Sequence, residues 1–227
     1  MKYLKVFDTT AEYNAFKLTE NFILPNVSCT LDDLTVVYYN PYVATPSNIH
    51  NGYYYIDFNL PSGTKWATMN VGATSITDYG NYYMYGKGSI VYNNSDSEYD
   101  GKMNPLAKSA DTAAQVMGGE WHMPTSTQIN ELIANTTYTW ETDFNGSGIS
   151  GGKFASKTDS TKYIFMPAAG YKQYNSVHNL SSTGYYLSST PNGSGNVVNG
   201  LSFRSGANYI TSMIYRSYGC SVRGVLG

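Results

Sequence analysis

Residues 118–128 read GGEWHMPTSTQ, and this stretch decides how the centre of the chain is organised. A first helix, capped by Ser109 or Asp111, is predicted to end at Gly118 and Gly119, the two glycines that begin this stretch. A second helix is predicted to open directly after the proline, because Thr125 and Gln128 form a capping box. The apolar side chains of that second helix follow the i, i+3, i+4 spacing of one packed face: Ile129, Leu132 and Ile133.

Strands are predicted on both sides of this helix pair, from β-branched and aromatic runs and from alternating patterns. They cover residues 1–8, 35–39, 53–58, 163–166, 185–188, 197–203, 209–215 and 221–223. A short helix is predicted over residues 11–18, an extended segment over 79–85 and loops over 89–100 and 192–196. Strands that flank a central helix pair predict an α+β domain with antiparallel sheets.

Turn signals at residues 40–41 and 45–47 predict a boundary near residue 45. About 45 residues are too few to bury an independent core. We therefore expect an N-terminal docking or oligomerisation segment, residues 1–45, followed by one domain over residues 46–227.

The composition excludes several classes of protein. Charged residues make up 13% of the 227 residues, about half the usual share, and 23 residues are tyrosine. A net charge of −2 without a basic cluster argues against nucleic-acid binding, and no apolar run approaches membrane-spanning length. Abundant Tyr, Ser, Asn and Gly are typical of binding surfaces, although tyrosine is also common in ordinary β-sheets.

Six short motifs follow one another between residues 65 and 223. They are KWATMNVGA at 65–73, YGNYY at 79–83, GGEWHMPT at 118–125, IFMPAAGY at 164–171, GYYLSST at 184–190 and YGCSVR at 218–223. Trp66 and Trp121 are expected to be apolar anchors beside close-packed glycines, and Arg223 to pair with a carboxylate or with backbone carbonyls inside the fold.

This ordered series resembles the Fibrobacter succinogenes major paralogous domain over about residues 53–225. The resemblance implies a C-type-lectin-like fold and a source among Bacteroidota or their phages. Leu187 stands where the family usually has Trp, and His122 where Arg is usual. Cysteines that many members carry near Met69 and Gly224 are missing, which fits folding in a reducing cytoplasm.

The N-terminal segment resembles the start of particle-associated proteins from phages of gut Bacteroidota. The resemblance rests on MKYLKVFDTTAEY at 1–13, LPNVS at 24–28 and YNP at 39–41. Residues 1–8 also lack the apolar core of a signal peptide. We therefore expect a phage virion protein, assembled in the host cytoplasm, whose residues 1–45 contact other virion proteins.

Catalysis is not expected. Formylglycine-generating enzymes share the C-type-lectin-like fold, but they need paired cysteines, and only Cys220 lies in this C-terminal half. Ser188, Ser189 and His178 have no nucleophile elbow or ordered triad around them. Asp96, Glu98 and Asp100 lack EF-hand spacing, and the lectin calcium signatures EPN and WND are absent. Cys29 and Cys220 either pair or remain free thiols, and no cofactor or metal is expected.

A binding surface in the C-terminal half is the remaining function. Tyrosine supplies stacking area, while Asn and Arg bond hydroxyl or carboxylate groups. The predicted ligand-binding residues are Tyr185, Tyr186, Asn192, Ser194, Asn196, Arg204, Asn208, Tyr209, Ser212, Tyr215 and Arg216.

The expected protein is a fibre or decoration subunit that binds a host-surface glycan or protein, as a homo-oligomer with a trimer favoured. A purely structural virion protein and a bacterial surface adhesin remain as alternatives.

Overall fold

The computed structural model describes residues 3–7, 27–31, 35–40, 48–92, 106–192, 196–207 and 211–227. The strands are β1 Tyr3–Phe7, β2 Val27–Leu31, β3 Thr35–Asn40, β4 Ile49–His50, β5 Tyr53–Asp57, β6 Lys65–Ala67, β7 Thr136–Glu141, β8 Gly151–Ser156, β9 Tyr163–Pro167, β10 Tyr171–Gln173, β11 Ser176–His178, β12 Thr183–Pro191, β13 Val197–Arg204, β14 Thr211–Tyr215 and β15 Val225–Leu226. The α-helices are α1 Thr112–Met117 and α2 Ser126–Asn135, with short 3-10 helices at Lys108–Ala110 and Phe144–Gly146.

The strands form small sheets in the orders β1-β3-β2, β15-β6-β5-β4, β7-β8-β9 and β12-β13-β14, together with the β10–β11 hairpin. Every pairing between these named strands is antiparallel. Within the described residues the fold is therefore mixed, with few helices and mostly antiparallel sheets, as the sequence predicts.

Both predicted helices form, and their caps explain where they begin. Asp111, one of the two expected caps, accepts a hydrogen bond from the Ala114 N–H at 2.9 Å and begins α1. The same carboxylate accepts from the Met123 N–H at 2.9 and 3.1 Å, which ties α1 to the stretch before α2. The capping box of α2 is confirmed: the Gln128 N–H donates to Thr125 Oγ1 at 3.1 Å, and the Thr125 N–H donates to Gln128 Oε1 at 2.9 Å.

Thr125→Ala is expected to lower the free energy of unfolding by about 1 kcal/mol, because the Gln128 N–H loses its acceptor at the start of α2. Urea unfolding followed by circular dichroism measures the change. Thr125→Ser is the matched control, since it keeps the capping oxygen. Equal urea midpoints for the alanine and serine variants would contradict the role of the cap.

The motif residues lie mostly in the core. Trp66 and Trp121 are each 1% exposed, which confirms them as buried anchors. Trp66 packs in one apolar cluster with Ile129 and Leu132, while the Trp121 indole N–H donates to the His50 carbonyl at 2.9 Å. The predicted apolar face of α2 thus packs on one of the two tryptophans of the motif series.

Arg223 carries a charged side chain inside the protein, where it is 1% exposed. Its Nη1 donates to the Ala67 carbonyl at 3.0 Å and its Nη2 to the Phe165 carbonyl at 2.9 Å. The sequence prediction left carboxylate and carbonyl partners open, and the structure shows carbonyls. The guanidinium therefore joins β6 to β9 through their backbones.

The last predicted strand differs from the structure. Residues 79–85, predicted as an extended segment, form no named strand, and Tyr83 makes only single bridges, to Val91 and to Cys220. The last strand is β15 rather than residues 221–223. Gly219, Cys220 and Ser221 make only isolated bridges, each to a different segment of the chain. No two consecutive residues there pair with the same strand, so no ladder forms.

Several strands were not predicted, and β8 shows why. It begins with Gly151 and Gly152, which are poor strand formers. A Cβ at Gly152 would lie 2.8 Å from the Tyr138 ring and 2.9 Å from the Phe203 ring. Glycine is needed there for close packing, and that requirement is set by residues distant in sequence.

Other predictions lie outside the described residues: the helix at 11–18, the boundary near residue 45 and most of the 89–100 loop.

Cys220 is a free, fully buried thiol whose pKa is raised by burial. Among the described residues, no helix has both the length and the apolar character needed to cross a bilayer.

Candidate functional site

Two of the predicted ligand-binding tyrosines lie at the surface. Tyr215, at the end of β14, is 52% exposed. Tyr185, in β12, is half-buried, and its hydroxyl accepts a hydrogen bond from Asn179 Nδ2 at 3.2 Å. Both belong to a larger aromatic surface that is described below.

Tyr186 and Arg216 are corrections to the predicted site, because both side chains are buried. Tyr186 is 2% exposed, and its hydroxyl donates to the Pro167 carbonyl at 2.8 Å and accepts from Asn70 Nδ2 at 3.1 Å. Arg216 is 4% exposed, with its guanidinium 5.1 Å from the Tyr85 ring centre and its Nε donating to the Val197 carbonyl at 3.3 Å. Alternation along β12 explains the first case: of two adjacent tyrosines, only one faces outward.

The remaining predicted residues are scattered. Asn196 and Arg204 are exposed and Asn192 is half-buried, and these three lie at the ends of strands or in turns. Ser212 lies within β14, where it pairs with Gly200. Three predicted residues lie outside the described ranges: Ser194, Asn208 and Tyr209.

Four aromatic side chains form a continuous row, which we call the aromatic column: His178, Tyr171, Tyr218 and Tyr215. Successive ring centres are 5.1, 4.6 and 5.1 Å apart. The first three rings are nearly parallel, at 20° and 12°, and the last is tilted by 53°. Tyr185 meets Tyr171 edge-on at 5.4 Å. These spacings lie in the range of favourable ring–ring contacts.

The column is assembled by the β10–β11 hairpin and the turn after β14. In the hairpin, Tyr171 is directly opposite His178, so their rings can stack across the strands. Lys172 and Gly219 exchange two backbone hydrogen bonds, of 2.7 and 2.8 Å. This exchange sets the hairpin against the turn and brings the second and third rings of the column together.

The turn itself adds the last ring. The Tyr218 N–H donates to the Tyr215 carbonyl at 3.1 Å, which closes the chain between the two tyrosines and holds their rings in contact. Cross-strand pairing and a tight turn therefore fix all four rings, so this surface is already ordered.

Tyr92 supports the hairpin from behind. Its hydroxyl accepts a hydrogen bond from the Tyr174 N–H at 2.8 Å, at the tip of the hairpin. Its ring packs so closely on Gly219 that a Cβ there would lie 2.7 Å away. The ammonium of Lys172 lies 5.8 Å from the same ring centre. Tyr92 is thus a positioning residue for the column.

Backbone strain is concentrated in this hairpin and the segment that follows it. Tyr174, Asn179 and Ser181 all have positive φ, at 50°, 57° and 58°. Such a φ is tolerated by asparagine but is unfavourable for a bulky aromatic residue. Tyr174 nevertheless occupies the hairpin tip and is 69% exposed. A strained, exposed aromatic side chain points to a role in contact with something outside the fold.

Tyr174→Asn is expected to raise the free energy of unfolding by roughly 0.5–1 kcal/mol, since asparagine relieves the strain and few contacts are lost. The measurement is urea unfolding of the purified chain. Tyr174→Phe is the control, because it keeps the aromatic ring at the same φ and should leave stability unchanged. A destabilised asparagine variant would show that the Tyr174 ring supports the fold.

The phenol groups of the surface lie close enough to influence one another. The pKa of Tyr218 is raised, first by burial and then by neighbouring tyrosines that include Tyr171, Tyr215 and Tyr174. The rings are therefore surrounded by hydroxyl groups, which can both donate and accept hydrogen bonds.

The column and its hairpin lack acidic side chains: residues 170–182 and 214–219 contain no Asp or Glu. Within the described ranges, no group of three or more His, Cys, Asp or Glu side chains could hold a metal ion. The acidic residues of the predicted loop lie outside those ranges: Asp96, Glu98 and Asp100.

A separate cleft of about 240 Å³ lies near the ends of β6 and β15, and its lining includes His50, Lys65 and Glu120. The imidazole there is already engaged, because His50 Nε2 accepts from the Glu120 N–H at 3.1 Å. This contact fixes the turn between α1 and Trp121, which is a structural role.

Sequence reasoning missed three members of the column, Tyr171, His178 and Tyr218, and also missed Tyr174. A usable signal was present: Tyr171-Lys-Gln-Tyr174 and Tyr215-Arg-Ser-Tyr218 share a pattern of two tyrosines around one basic and one polar residue. Tyr171, Tyr218 and Tyr215 lie next to one another. The fourth, Tyr174, is among the groups that raise the pKa of Tyr218, after burial.

Comparison with known proteins found no matching family model, no matching curated protein and no matching solved structure.

Proposed function

We propose that the chain is a virion protein of a phage that infects gut Bacteroidota, a fibre or decoration subunit that attaches to the host surface. Its residues 46–227 would form a C-type-lectin-like domain that binds a host-surface glycan or protein, without catalysis. The observation that carries this proposal is the aromatic column, because solvent-exposed, pre-ordered tyrosines are characteristic of recognition surfaces.

Two further observations support the proposal. The motif residues that suggest the C-type-lectin-like family serve the core, as Trp66, Trp121 and Arg223 do, which is what a shared scaffold requires. The column lies in the C-terminal half, where that fold often presents its ligand face. Residues 1–45 would join the chain to other virion proteins, and a homotrimer would multiply weak individual sites through avidity.

The test is binding of the fluorescently labelled full chain to a panel of gut Bacteroidota strains. We expect strain-selective binding that is lost on Tyr215→Ala. Ile90→Ala is the matched control, because Ile90 is 53% exposed and Tyr215 is 52% exposed. Circular dichroism of all three proteins checks that they are folded.

Periodate treatment of the cells separates two kinds of receptor. Loss of binding after periodate indicates a glycan, and binding that persists indicates a protein. A folded chain that binds no strain would instead support a structural virion protein that takes no part in attachment.

A further inference from the structure

We propose that the aromatic column, flanked by Tyr174, binds a neutral chain of hexopyranose rings directly and without a calcium ion. Tyr174 and Tyr215 each stack on one sugar ring. This inference rests on the proposed attachment function and names the chemical class of its ligand.

The first step is to find which ring surface is free. Tyr171 lies between the nearly parallel rings of His178 and Tyr218, so the centre of the column is occupied by its own members. Exposed tyrosine surface lies at Tyr215, which is 52% exposed, and at Tyr174, which is 69% exposed, and the His178 ring at the end of the column is exposed as well. The two exposed tyrosines are the platforms on which a ligand ring can lie.

The second step is to match the chemistry of the ligand. The electron-rich face of a tyrosine attracts the slightly positive C–H groups on the flat face of a pyranose ring. Burial raises the pKa of Tyr218, and the nearby phenols of Tyr171, Tyr215 and Tyr174 raise it further. Neutral phenols donate and accept hydrogen bonds, as sugar hydroxyls do. A purely apolar ligand would leave these hydroxyls unpaired.

The third step concerns charge. Residues 170–182 and 214–219 contain no carboxylate, so they offer none of the anionic oxygen ligands that calcium prefers. The two long basic side chains of these stretches lie beside other rings: the Lys172 ammonium is 5.8 Å from the Tyr92 ring centre, and Arg216 is buried near Tyr85. Neither of these ring contacts is with Tyr174 or Tyr215, so the two stretches favour a neutral chain over an acidic one.

Strain at Tyr174 is an independent argument. An aromatic residue at a φ of 50° reduces stability, and asparagine would hold the same hairpin tip more easily. A tyrosine at that position is explained if its ring contacts the ligand. Two platforms on separate segments then require a ligand of at least two rings.

Affinity gel electrophoresis of the full chain tests the inference in the presence of EDTA. The probes are surface polysaccharides from every strain of the panel, each divided by anion exchange into neutral and acidic fractions. Dextran and yeast mannan are included as defined neutral chains. We expect at least one neutral probe to retard the protein and the acidic fractions to have little effect.

The variants Tyr174→Ala and Tyr215→Ala are expected to weaken that retardation by roughly tenfold each, which is the loss of one stacking contact. The phenylalanine variants at the same positions should keep most of it, and Ile90→Ala should keep all of it. Thermal melting of each variant confirms folding, which is expected because both tyrosines are exposed.

Four results would overturn the inference: no retardation by any neutral probe, retardation that appears only when calcium replaces EDTA in the gel, preference for acidic fractions, or full retardation of both alanine variants. The two proposals fail separately. Strain-selective cell binding that survives periodate would uphold the attachment function while it contradicts a sugar ligand. Retardation by a neutral probe without binding to any strain would uphold the sugar ligand while it contradicts the attachment function.

Discussion

Arg223→Met is expected to lower the free energy of unfolding by about 3–5 kcal/mol. Methionine fills similar space, but the buried carbonyls of Ala67 and Phe165 lose their donors, and each unpaired buried carbonyl costs about 1–3 kcal/mol. Arg223→Lys should recover part of the loss only, since one ammonium cannot reproduce the planar fork that reaches both strands.

Urea unfolding measures this effect, with Arg204→Met as the matched control. Arg204 is exposed, so its replacement should change stability by less than about 0.5 kcal/mol. A methionine variant at position 223 that unfolds within 1 kcal/mol of the parent would show that the two strands do not depend on the guanidinium.

Gly170→Ala is expected to lower the free energy of unfolding by roughly 3–5 kcal/mol, through two additive effects. The first is conformational, because Gly170 has a φ of +65°. The second is steric, because a Cβ there would meet the carbonyl oxygen of His178 and lie 2.9 Å from the Leu180 backbone nitrogen. Strand β11 would have to move, and His178 would leave the column.

Gly206→Ala separates these two effects. Gly206 has a similar φ of +69°, but nothing lies within 4 Å of the Cβ position. It should lose only about 1–2 kcal/mol, the conformational part. Urea unfolding measures both variants, and near-ultraviolet circular dichroism reports the packing of the tyrosines. Equal losses at the two positions would exclude the steric effect.

The parts of the fold that the sequence could predict are those that short-range chemistry controls. The capping box of Thr125 and Gln128 needs only residues that are three apart, and the glycines after α1 supply the positive φ that ends a helix. The pairing of Arg223 with backbone carbonyls is one of the two alternatives that the sequence leaves open. Which carbonyls it reaches depends on how β6 and β9 approach each other, and no local pattern records that.

The candidate site was less predictable because the column is built from two segments that are separated in sequence. Its rings come from the β10–β11 hairpin and from the turn after β14, with Tyr185 of β12 beside them. Tyrosine is amphipathic and occurs both in cores and on surfaces. Strand alternation implies that only one of Tyr185 and Tyr186 faces outward, but not which one.

The reactivity of the buried Cys220 thiol can be used to measure how readily the structure around the aromatic column opens. The thiol lies two residues after Tyr218, and with its raised pKa it can react with an alkylating reagent only when the surrounding structure opens. In a Cys29→Ser background, the labelling rate would measure the free energy of that opening. A ligand held at 100 times its dissociation constant should slow the labelling by about 100-fold. Receptor extracts could thus be screened by mass spectrometry before any receptor is identified.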